Sequence, residues 1–283
     1  MCGIAGYIDF FSDTDRDVLI RMTDSLRHRG PDTSGYWELK HDDYSIGLGH
    51  RRLSIIDLSP LGNQPMVAFD GKLCIVFNGE IYNYKEIRVE LEELGHTFKS
   101  HSDTEVILHA YKQWRHDAVQ KFIGMFAFVI VDRENQIVSL FRDRAGVKPL
   151  FYYWNNNVFL FGSELKALIL HPKFEKSINL DSVASYFQYG FIPTPHSIYN
   201  NAYKLDPAHY LIFDLRKQSF EKVRYWDVYN EYNRGVLKIN REDALVETES
   251  ILLKAFQYRM VADVPVGVFL SGGYDSTCVT ALL

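Results

Sequence analysis

Cys2, the second residue of the chain, occupies the position that most directly suggests chemistry. Because its side chain is small, we expect Met1 to be removed, which would leave a thiol and a free α-amine on one residue. An α-amine has a reference pKa of about 8, so near neutral pH part of it is unprotonated and can accept the thiol proton. The alternative is that Cys2 is a small buried hydrophobic residue at the start of a strand. Cys2 taken alone favours that alternative, so its context has to decide.

A glycine-rich turn late in the chain is the second candidate for chemistry. An apolar run at residues 266–270 predicts a strand, the letters SGGYDST follow at residues 271–277, and a helix is predicted to begin near Ser276. Such a turn offers backbone N–H groups and the positive end of the helix dipole to a phosphate. It lacks the lysine of a Walker loop and the G-x-G-x-x-G spacing of dinucleotide sites. The turn therefore predicts an anion site of another type.

The elements that must position these residues mix strands and helices. Runs of apolar, β-branched and aromatic residues predict strands at residues 73–77, 126–131, 137–141, 150–153, 158–161 and 210–213. Helical spacing joins Leu19, Met22 and Leu26, then Ile87, Leu91 and Leu94, then Ile107, Ala110 and Trp114. Gly95 is predicted to end the second helix, and Ser102 with Glu105 predicts a capping box for the third. Because strands outnumber helices and follow one another across short turns, the pattern favours an antiparallel α+β fold over a doubly wound parallel one.

The pattern changes late in the chain. Residues 229–234 are polar and turn-prone, and residues 245–256 carry the apolar spacing of an amphipathic helix. This change predicts a boundary between about Leu215 and Asn240. We therefore expect one domain at residues 1–217 and a second at residues 238–283.

The composition excludes several classes of function. With 283 residues, of which 47% are hydrophobic and 14% aromatic, the chain can bury a sizeable core. Its 31 basic and 36 acidic side chains give a net charge of -5, which offers no electrostatic footprint for nucleic acid or an anionic membrane. No secretion signal and no apolar run of about 18 residues is visible, and Cys2, Cys74 and Cys278 show no disulfide or metal-finger spacing. We expect a cytoplasmic protein that binds neither nucleic acid nor membrane.

Five separated motifs are similar, in order and spacing, to the class II glutamine amidotransferase domain. They are MCGIAG at residues 1–6, RHRGPD at 27–32, HRRLSIID at 50–57, FNGEIYN at 77–83 and SDTE at 102–105. The similarity covers about Cys2 to Leu215, and RDR at 142–144, GVKPL at 146–150 and GSELKAL at 162–168 resemble the asparagine synthetase branch. The resemblance implies an αββα sandwich of antiparallel sheets, as in N-terminal-nucleophile hydrolases, with Cys2 as the nucleophile. With the α-amine as base, His28 and His50 are expected to be structural hydrogen-bonding residues.

The resemblance also implies how glutamine is held. The Asn78 side chain and the Gly79 N–H would form an oxyanion hole for the attacked amide. Arg52 would clamp the carboxylate, since a guanidinium fork matches it bidentately. Asp103, together with the segment of Gly79 and Glu80, would hold the ammonium. The implied glutamine pocket comprises Arg52, Leu53, Ser54, Ile55, Ile56, Asn78, Gly79, Glu80 and Asp103.

Several of these residues also have a purely structural interpretation. Arg52 could be one of two solvated arginines, which is the default for Arg51. Asp103 in the first turn of a helix complements the helix dipole, a contribution of under about 1 kcal/mol. The NG pair at residues 78–79, between apolar runs, is by itself the commonest hairpin signal. In combination with the N-terminal cysteine, the functional interpretations are favoured.

The glycine-rich turn resembles the pyrophosphate-binding loop of ATP pyrophosphatases, which activate a carboxylate as its acyl-adenylate. The resemblance implies an ATP site at Leu270, Ser271, Gly272, Gly273, Asp275 and Ser276, with Leu270 beside the adenine and Asp275 helping to hold Mg²⁺. Tyr274 stands where relatives often have an aliphatic residue, which leaves the subfamily open. A doubly wound synthetase domain needs more βα units than follow here, so we expect a truncated start of an α/β ATP-pyrophosphatase domain. We expect it to be marginally stable after about Arg241.

The function that these resemblances imply is glutamine-hydrolysing asparagine synthesis. Glutamine would supply ammonia to an ATP-activated carboxylate, with aspartate as the expected acceptor and with ATP and Mg²⁺ as cofactors of the complete synthetase. The glutaminase half-reaction would need no cofactor. One alternative is another carboxylate acceptor in surface-polymer or natural-product biosynthesis, and another is a non-catalytic scaffold. A homodimer is left open.

Overall fold

Two six-stranded sheets form the centre of the fold, in a computed structural model that describes residues 1–69 and 71–283. From edge to edge, the first sheet contains β10 (Ala202–Lys204), β8 (Phe151–Asn155), β9 (Val158–Gly162), β1 (Gly3–Asp9), β3 (Ser45–Arg52) and β2 (Thr33–Lys40). The second contains β12 (Ser219–Arg224), β11 (His209–Asp214), β7 (Ile137–Arg142), β6 (Gly124–Asp132), β5 (Leu73–Ile81) and β4 (Met66–Ala68). Neighbouring strands pair antiparallel throughout both sheets. The predicted antiparallel α+β class is confirmed.

An apolar core joins the inner faces of the two sheets. Ile4 and Phe159 of the first sheet belong to the same buried cluster as Val76, Val129 and Leu140 of the second. Because side chains alternate between the faces of a strand, each sheet also carries an apolar outer face that something else has to cover.

Helices cover both outer faces. The first sheet is covered by α1 (Arg16–Asp24) and α5 (Leu165–Leu168), and the second by α2 (Tyr84–Glu93), α3 (Asp103–Trp114) and α4 (Ala118–Lys121). Leu19 and Met22 of α1 pack with Tyr7 of β1 in one buried cluster. On the other side, Ile107 of α3 packs with Phe128 of β6. The order of layers is helix, sheet, sheet, helix, which is the predicted αββα sandwich.

The remaining helices lie along the rest of the chain. They are α6 (Leu180–Tyr189), α7 (Val228–Tyr232), α8 (Arg241–Tyr258) and α9 (Tyr274–Leu282). The predicted amphipathic helix at residues 245–256 forms within α8, although neither α8 nor α9 has a buried residue. Among the helices of residues 1–69 and 71–283, none has both the length and the apolar character that a membrane crossing requires.

The predicted strand at residues 266–270 is absent, which corrects the sequence interpretation. These residues adopt no regular structure, and Phe269 is 96% exposed. A strand is stable only when a neighbouring strand takes up its backbone hydrogen bonds, and the structure offers this segment no such neighbour among the described residues. An apolar run in the sequence is therefore not sufficient to form a strand in this segment.

Two local predictions also need correction. Ser102 caps α3 as predicted, since its hydroxyl oxygen accepts from the Thr104 N–H at 3.0 Å. Glu105, however, does not complete a capping box; its carboxylate accepts from the N–H groups of Lys99 and Ser100 at 2.9 and 2.7 Å. The segment predicted as a turn at residues 229–234 contains most of α7, because the side chain of Asp227 caps that helix.

Candidate active site

A cleft of about 280 Å³ lies where the ends of β1, β3 and β5 meet the start of α3. It is lined by nine of the predicted residues, namely Cys2, Arg52, Leu53, Ile55, Ile56, Asn78, Gly79, Glu80 and Asp103. Ser54, which was also predicted, does not line the cleft; its backbone N–H donates to Asp32 Oδ2 at 2.8 Å. The fold thus gathers residues that are far apart in the sequence around one space.

Cys2 lies beside Leu53 where β1 begins and β3 ends, at the end of two inner strands of the first sheet. β1 and β3 pair with Gly3 opposite Arg51, which places Cys2 level with Arg52, the last residue of β3. The Leu53 N atom lies 3.4 Å from Cys2 Sγ, and Sγ lies 3.6 Å from the Leu53 carbonyl oxygen. Arg29 holds the adjoining backbone, since its Nε donates to the Cys2 carbonyl oxygen at 2.9 Å. The thiol is therefore held in a defined position.

The protonation of Cys2 depends on its surroundings. Burial raises the pKa of the Cys2 thiol, and the hydrogen bond from Leu53 opposes that rise. Burial also lowers the pKa of the Met1 α-amine. A thiol that resists ionisation needs a base close to it before it can act as a nucleophile.

Asn78 is the buried amide of the cleft. It is 1% exposed, and neither its side-chain oxygen nor its side-chain nitrogen has a hydrogen-bond partner within residues 1–69 and 71–283. Buried polar groups are nearly always paired, so an unpaired amide requires an explanation. The NG pair forms no hairpin turn, because both residues lie within β5 and pair with Ala127 and Phe126 of β6. The turn interpretation of this pair is wrong.

Gly79 permits a close approach between β5 and β6. A Cβ atom at this position would lie 2.2 Å from the Met125 carbonyl oxygen, which no side chain can tolerate without a shift of the backbone. The absence of a side chain also leaves the Gly79 backbone accessible from the cleft that it lines.

Arg52 is buried in the wall of the cleft. Its Nη1 donates to the Ser59 carbonyl oxygen at 3.1 Å and to Asn63 Oδ1 at 2.7 Å, and its Nη2 donates to the carbonyl oxygens of Ile56 and Asp57. The loop at residues 56–63 therefore wraps the guanidinium group and fixes its orientation. We call these residues the Arg52 loop.

Arg51 was predicted to be solvated, and that prediction is wrong. The residue is 8% exposed, and its Nε donates to the Gly30 carbonyl oxygen at 3.1 Å while its Nη1 approaches Asp24 Oδ1 at 3.4 Å. Because neighbouring residues of β3 point to opposite faces, Arg51 faces away from Arg52 and has a structural role of its own.

Two acidic side chains lie at the other side of the cleft. Burial raises the pKa of Asp103 to about 7; the hydrogen bond from the Ile81 N–H, at 3.0 Å, opposes this rise, and nearby Glu80 adds to it. Burial likewise raises the pKa of Glu80, against the influence of Lys148. A buried carboxyl group and a half-buried one, both with raised pKa values, form a place where a bound cation would be stabilised.

Several lining residues were not predicted as part of the site. Lys148 is buried, and burial lowers its pKa while Glu80 and Cys2 oppose that shift. Gln64 joins two walls, since its Oε1 accepts from the Phe77 N–H at 2.6 Å and its Nε2 donates to Thr104 Oγ1 at 3.2 Å. The GVKPL signature contains Lys148 and could have indicated it, whereas no sequence signal marked Gln64.

The two histidines of the motifs make structural hydrogen bonds, as expected. His50 Nε2 lies 3.0 Å from the Phe77 carbonyl oxygen, and burial lowers the pKa of His50 to about 4. His28 Nε2 lies 3.0 Å from Glu164 Oε1. Neither residue lines the cleft.

The predicted ATP residues form a separate, exposed turn. Gly273 is the N-cap of α9, Gly272 has a positive φ of 82°, and Leu270 is 61% exposed. The hydroxyl oxygens of Ser271 and Ser276 lie 3.0 Å apart. Asp275 lies in the first turn of α9, and the described part of the chain contains no cluster of three or more potential metal-binding side chains.

Sequence comparisons divide the chain into two matches. A family described as the glutamine amidotransferase domain matches residues 1–226, and one described as asparagine synthase matches residues 247–283. A putative asparagine synthetase [glutamine-hydrolyzing] 2 of Methanocaldococcus jannaschii is 41% identical over 100% of this chain and 57% of its own length. Asparagine synthetase [glutamine-hydrolyzing] 3 of Bacillus subtilis is 38% identical over 100% of this chain and 45% of its own.

A further relative and a solved structure complete the comparison. The protein named amidase chry2, of Gibberella zeae, is 34% identical over 100% of this chain and 43% of its own length. The chain thus spans about half the length of the relatives it matches. Glutamine phosphoribosylpyrophosphate amidotransferase from B. subtilis, solved with ADP and GMP, aligns with a TM-score of 0.58 at 17% identity over 80% of this chain and 49% of its own. This likeness supports the fold and confirms the αββα assignment.

Proposed function

Because the chain belongs to the glutamine amidotransferase domain family, we propose that it hydrolyses glutamine with Cys2 as the nucleophile. The observation that carries the proposal is the unpaired, buried amide of Asn78, which lines the same cleft as the Cys2 thiol. An unpaired buried polar group lowers the stability of a protein, so we expect to find one only where a bound ligand pairs with it.

Binding of glutamine uses charge at both sides of the cleft. Arg52 supplies positive charge to the α-carboxylate of glutamine but no bidentate clamp, because its Nη1 and Nη2 hydrogens are donated to the Arg52 loop; Asp103 and Glu80 face the α-ammonium. The bound ammonium group of glutamine lowers the raised pKa values of Asp103 and Glu80, because a nearby positive charge favours the ionised carboxylates. This separation of charges orients the side-chain amide toward Cys2.

The reaction proceeds in two steps. With Met1 removed, the Cys2 α-amine accepts the thiol proton and the sulfur attacks the amide carbon of glutamine. The negative charge that develops on the amide oxygen is stabilised by the Asn78 side-chain N–H and the Gly79 backbone N–H. The carbon–nitrogen bond breaks, ammonia leaves with the proton from the α-amine, and a thioester remains. Water then cleaves the thioester, which releases glutamate and restores the thiol.

The fate of the ammonia is proposed from the second match. We place the division of the chain after β12, which extends the first part from the expected residue 217 to Arg224, and keep residues 238–283 as the second part, which would supply the start of an ATP site. The hydroxyl groups of Ser271 and Ser276 and the start of α9 suit a pyrophosphate. Mg²⁺ is usually held by one or two carboxylates together with phosphates and water, so Asp275 alone fits such a role and would help to neutralise the phosphate charge.

The acceptor of the ammonia is proposed to be aspartate, because relatives over the whole chain are named asparagine synthetases. A second candidate is another carboxylate, since one relative that matches over the whole chain carries a name other than asparagine synthetase. The test uses the full-length protein with ATP, Mg²⁺ and a panel of carboxylates. Pyrophosphate release with aspartate alone would support asparagine synthesis, whereas release with a different carboxylate would replace aspartate as the acceptor.

The glutaminase proposal is tested on this chain directly. Incubation with glutamine is expected to yield glutamate, and the Cys2→Ala variant is expected to yield none above background. Mass spectrometry of the active protein should find Met1 absent, because the mechanism needs a free amine on Cys2. Without glutamate formation that depends on Cys2, a non-catalytic scaffold becomes the better proposal.

A further inference from the structure

A short segment of the second match contacts the glutamine cleft. Asp263 lies within the residues matched by the asparagine synthase family, yet its Oδ2 accepts from the Asp57 N–H at 2.7 Å. The Asp263 N–H in turn donates to the Ile55 carbonyl oxygen at 2.9 Å. Val261, two residues earlier, packs against the apolar cluster that contains Ile56. Asp263 therefore fastens the Arg52 loop at Asp57 and also binds Ile55, the residue that directly precedes the loop.

Asp57, the residue that Asp263 contacts, is linked to both sides of the cleft. Its carbonyl oxygen accepts from Arg52 Nη2, on the side proposed for the carboxylate of glutamine. Its side chain accepts from the Ser59 N–H at 3.1 Å and from the His101 N–H at 3.0 Å. His101 directly precedes the cap of α3, on which Asp103 lies. The position of Asp57 therefore affects both Arg52 and Asp103, the charged residues at the two ends of the pocket.

The backbone of Asp57 needs such support. Its φ is 52°, in the left-handed backbone region that residues other than glycine adopt at a cost in free energy. A hydrogen bond to the N–H of a residue in this conformation favours that conformation over the alternatives available to a surface loop. Asp263 provides that hydrogen bond, and its own backbone is fixed by Ile55.

We infer that Asp263 is a positioning residue of the glutamine site, which holds Asp57 so that Arg52 and Asp103 face the two ends of the substrate. The inference rests on the proposed function. Asp263 also precedes the Ser271–Ser276 turn in the same matched segment, so the chain that carries the proposed phosphate loop is fastened to the wall of the glutamine pocket.

The first test separates binding from turnover. Asp263→Ala is expected to raise the KM for glutamine about fivefold, which corresponds to the loss of about 1 kcal/mol from one hydrogen bond, and to change kcat by less than about twofold. Asp263→Asn keeps an oxygen acceptor of the same shape and is expected to restore a KM near that of the wild type. Glu249→Ala is the matched control, because Glu249 is an exposed carboxylate on α8 with no hydrogen bond or ion pair to the described residues.

The second test does not depend on catalysis. Hydrogen exchange in Asp263→Ala is expected to increase at residues 55–63 and 101–103 and to stay unchanged in β6. If the wild type forms no glutamate, the proposed function fails while this measurement still decides whether Asp263 holds the loop. A KM that Asp263→Ala leaves unchanged would overturn the inference. An equal loss of kcat in Asp263→Ala and Asp263→Asn, with faster exchange throughout the chain, would also overturn it, since that result describes general destabilisation.

Discussion

At the residue scale, Asn78 is the position at which a structural role and a functional role can be told apart most clearly. A buried amide that bonds its neighbours stabilises the fold, whereas one whose oxygen and nitrogen are both unpaired costs free energy. Removing the first kind lowers stability, and removing the second kind does not. Stability and activity should therefore respond in different ways at this position.

We predict that Asn78→Ala lowers kcat for glutamine hydrolysis by about 10²–10³, the usual effect of losing one oxyanion-hole donor. The melting temperature should stay the same or rise, because the variant removes an unpaired polar group from the interior. Steady-state kinetics and thermal unfolding measure the two effects. Asn230→Ala, at an exposed asparagine of α7, is the control and should change neither. A variant that loses stability and activity together would show that the amide is structural.

Asp103 predicts a dependence on pH, because its pKa is raised to about 7. Only the ionised carboxylate attracts the α-ammonium of glutamine, so the KM for glutamine should fall about tenfold per pH unit as the pH approaches 7 from below and then level off. In Asp103→Asn the KM should be high, and this change with pH should disappear. Kinetics between pH 5.5 and 8 would measure both profiles; a slope that persists in the variant would assign the titration to another group.

The same shift predicts the sign of a stability effect. The folded protein keeps a proton on Asp103 that the unfolded chain releases near its ordinary pKa of 3.8. The stability from this group is therefore complete below about pH 4 and is lost as the pH rises to about 7. Glutamine should restore part of this stability above pH 7, since the bound ammonium group pairs with the ionised Asp103 carboxylate. Thermal unfolding with and without glutamine would measure this.

The residues of the site that could be predicted are those whose type and spacing carry the chemistry. Cys2, Asn78 and Asp103 belong to motifs, and the cleft contains all three. Gln64 comes from a loop that reaches the cleft only when both sheets are assembled, and its local sequence gives no sign of that position, whereas the GVKPL signature could have indicated Lys148. Arg51 illustrates a different limit of prediction. It is buried by the packing around β3, and two adjacent arginines in a sequence give no indication of that burial.

At the element scale, the approach of β5 to β6 depends on Gly79. A methyl group there would meet the Met125 carbonyl oxygen, which is backbone and cannot move aside without breaking the strand pairing. We predict that Gly79→Ala lowers the free energy of unfolding by about 1–3 kcal/mol, the usual cost of overpacking. Gly267→Ala is the control, since a Cβ there would meet no atom within 4 Å, and it should stay within about 0.5 kcal/mol. Denaturant unfolding would compare them, and equal stability of the two variants would contradict the packing argument.

Elements were predictable where the sequence pattern and the tertiary contacts agree. The strands at residues 126–131 and 137–141 lie inside β6 and β7, where each finds a partner on both sides. The run at residues 266–270 is also apolar, but it has no partner strand in the part of the chain that the structure describes, and it forms no strand. Glu105 likewise has the spacing of a capping box, yet its carboxylate accepts from the N–H groups of Lys99 and Ser100 in the loop before α3, and the Ser100 N–H is buried and needs an acceptor.

At the scale of the whole molecule, the two matched parts differ in how they are held. Residues of the sandwich pack into three buried clusters, whereas α8 and α9 bury no side chain. The end of α8 is nevertheless attached, since the Tyr258 hydroxyl group donates to Glu86 Oε1 at 3.1 Å and the Arg259 guanidinium lies over the ring of Tyr82. The start of α8 has no such attachment to the sandwich among the described residues.

This difference predicts the order of proteolysis in the 283-residue chain. Trypsin should cut first after Lys238 or Arg241, at least about tenfold faster than at any site within β5 or β6, because local opening there exposes no buried surface. Cleavage after Arg259 should follow later, since Asp263 and Tyr258 hold that end against the sandwich. In Asp263→Ala the delay should shrink, and mass spectrometry of timed digests would show both steps. Simultaneous cleavage at the two ends of α8 in the wild type would mean that the contacts of Tyr258 and Asp263 do not restrain the helix.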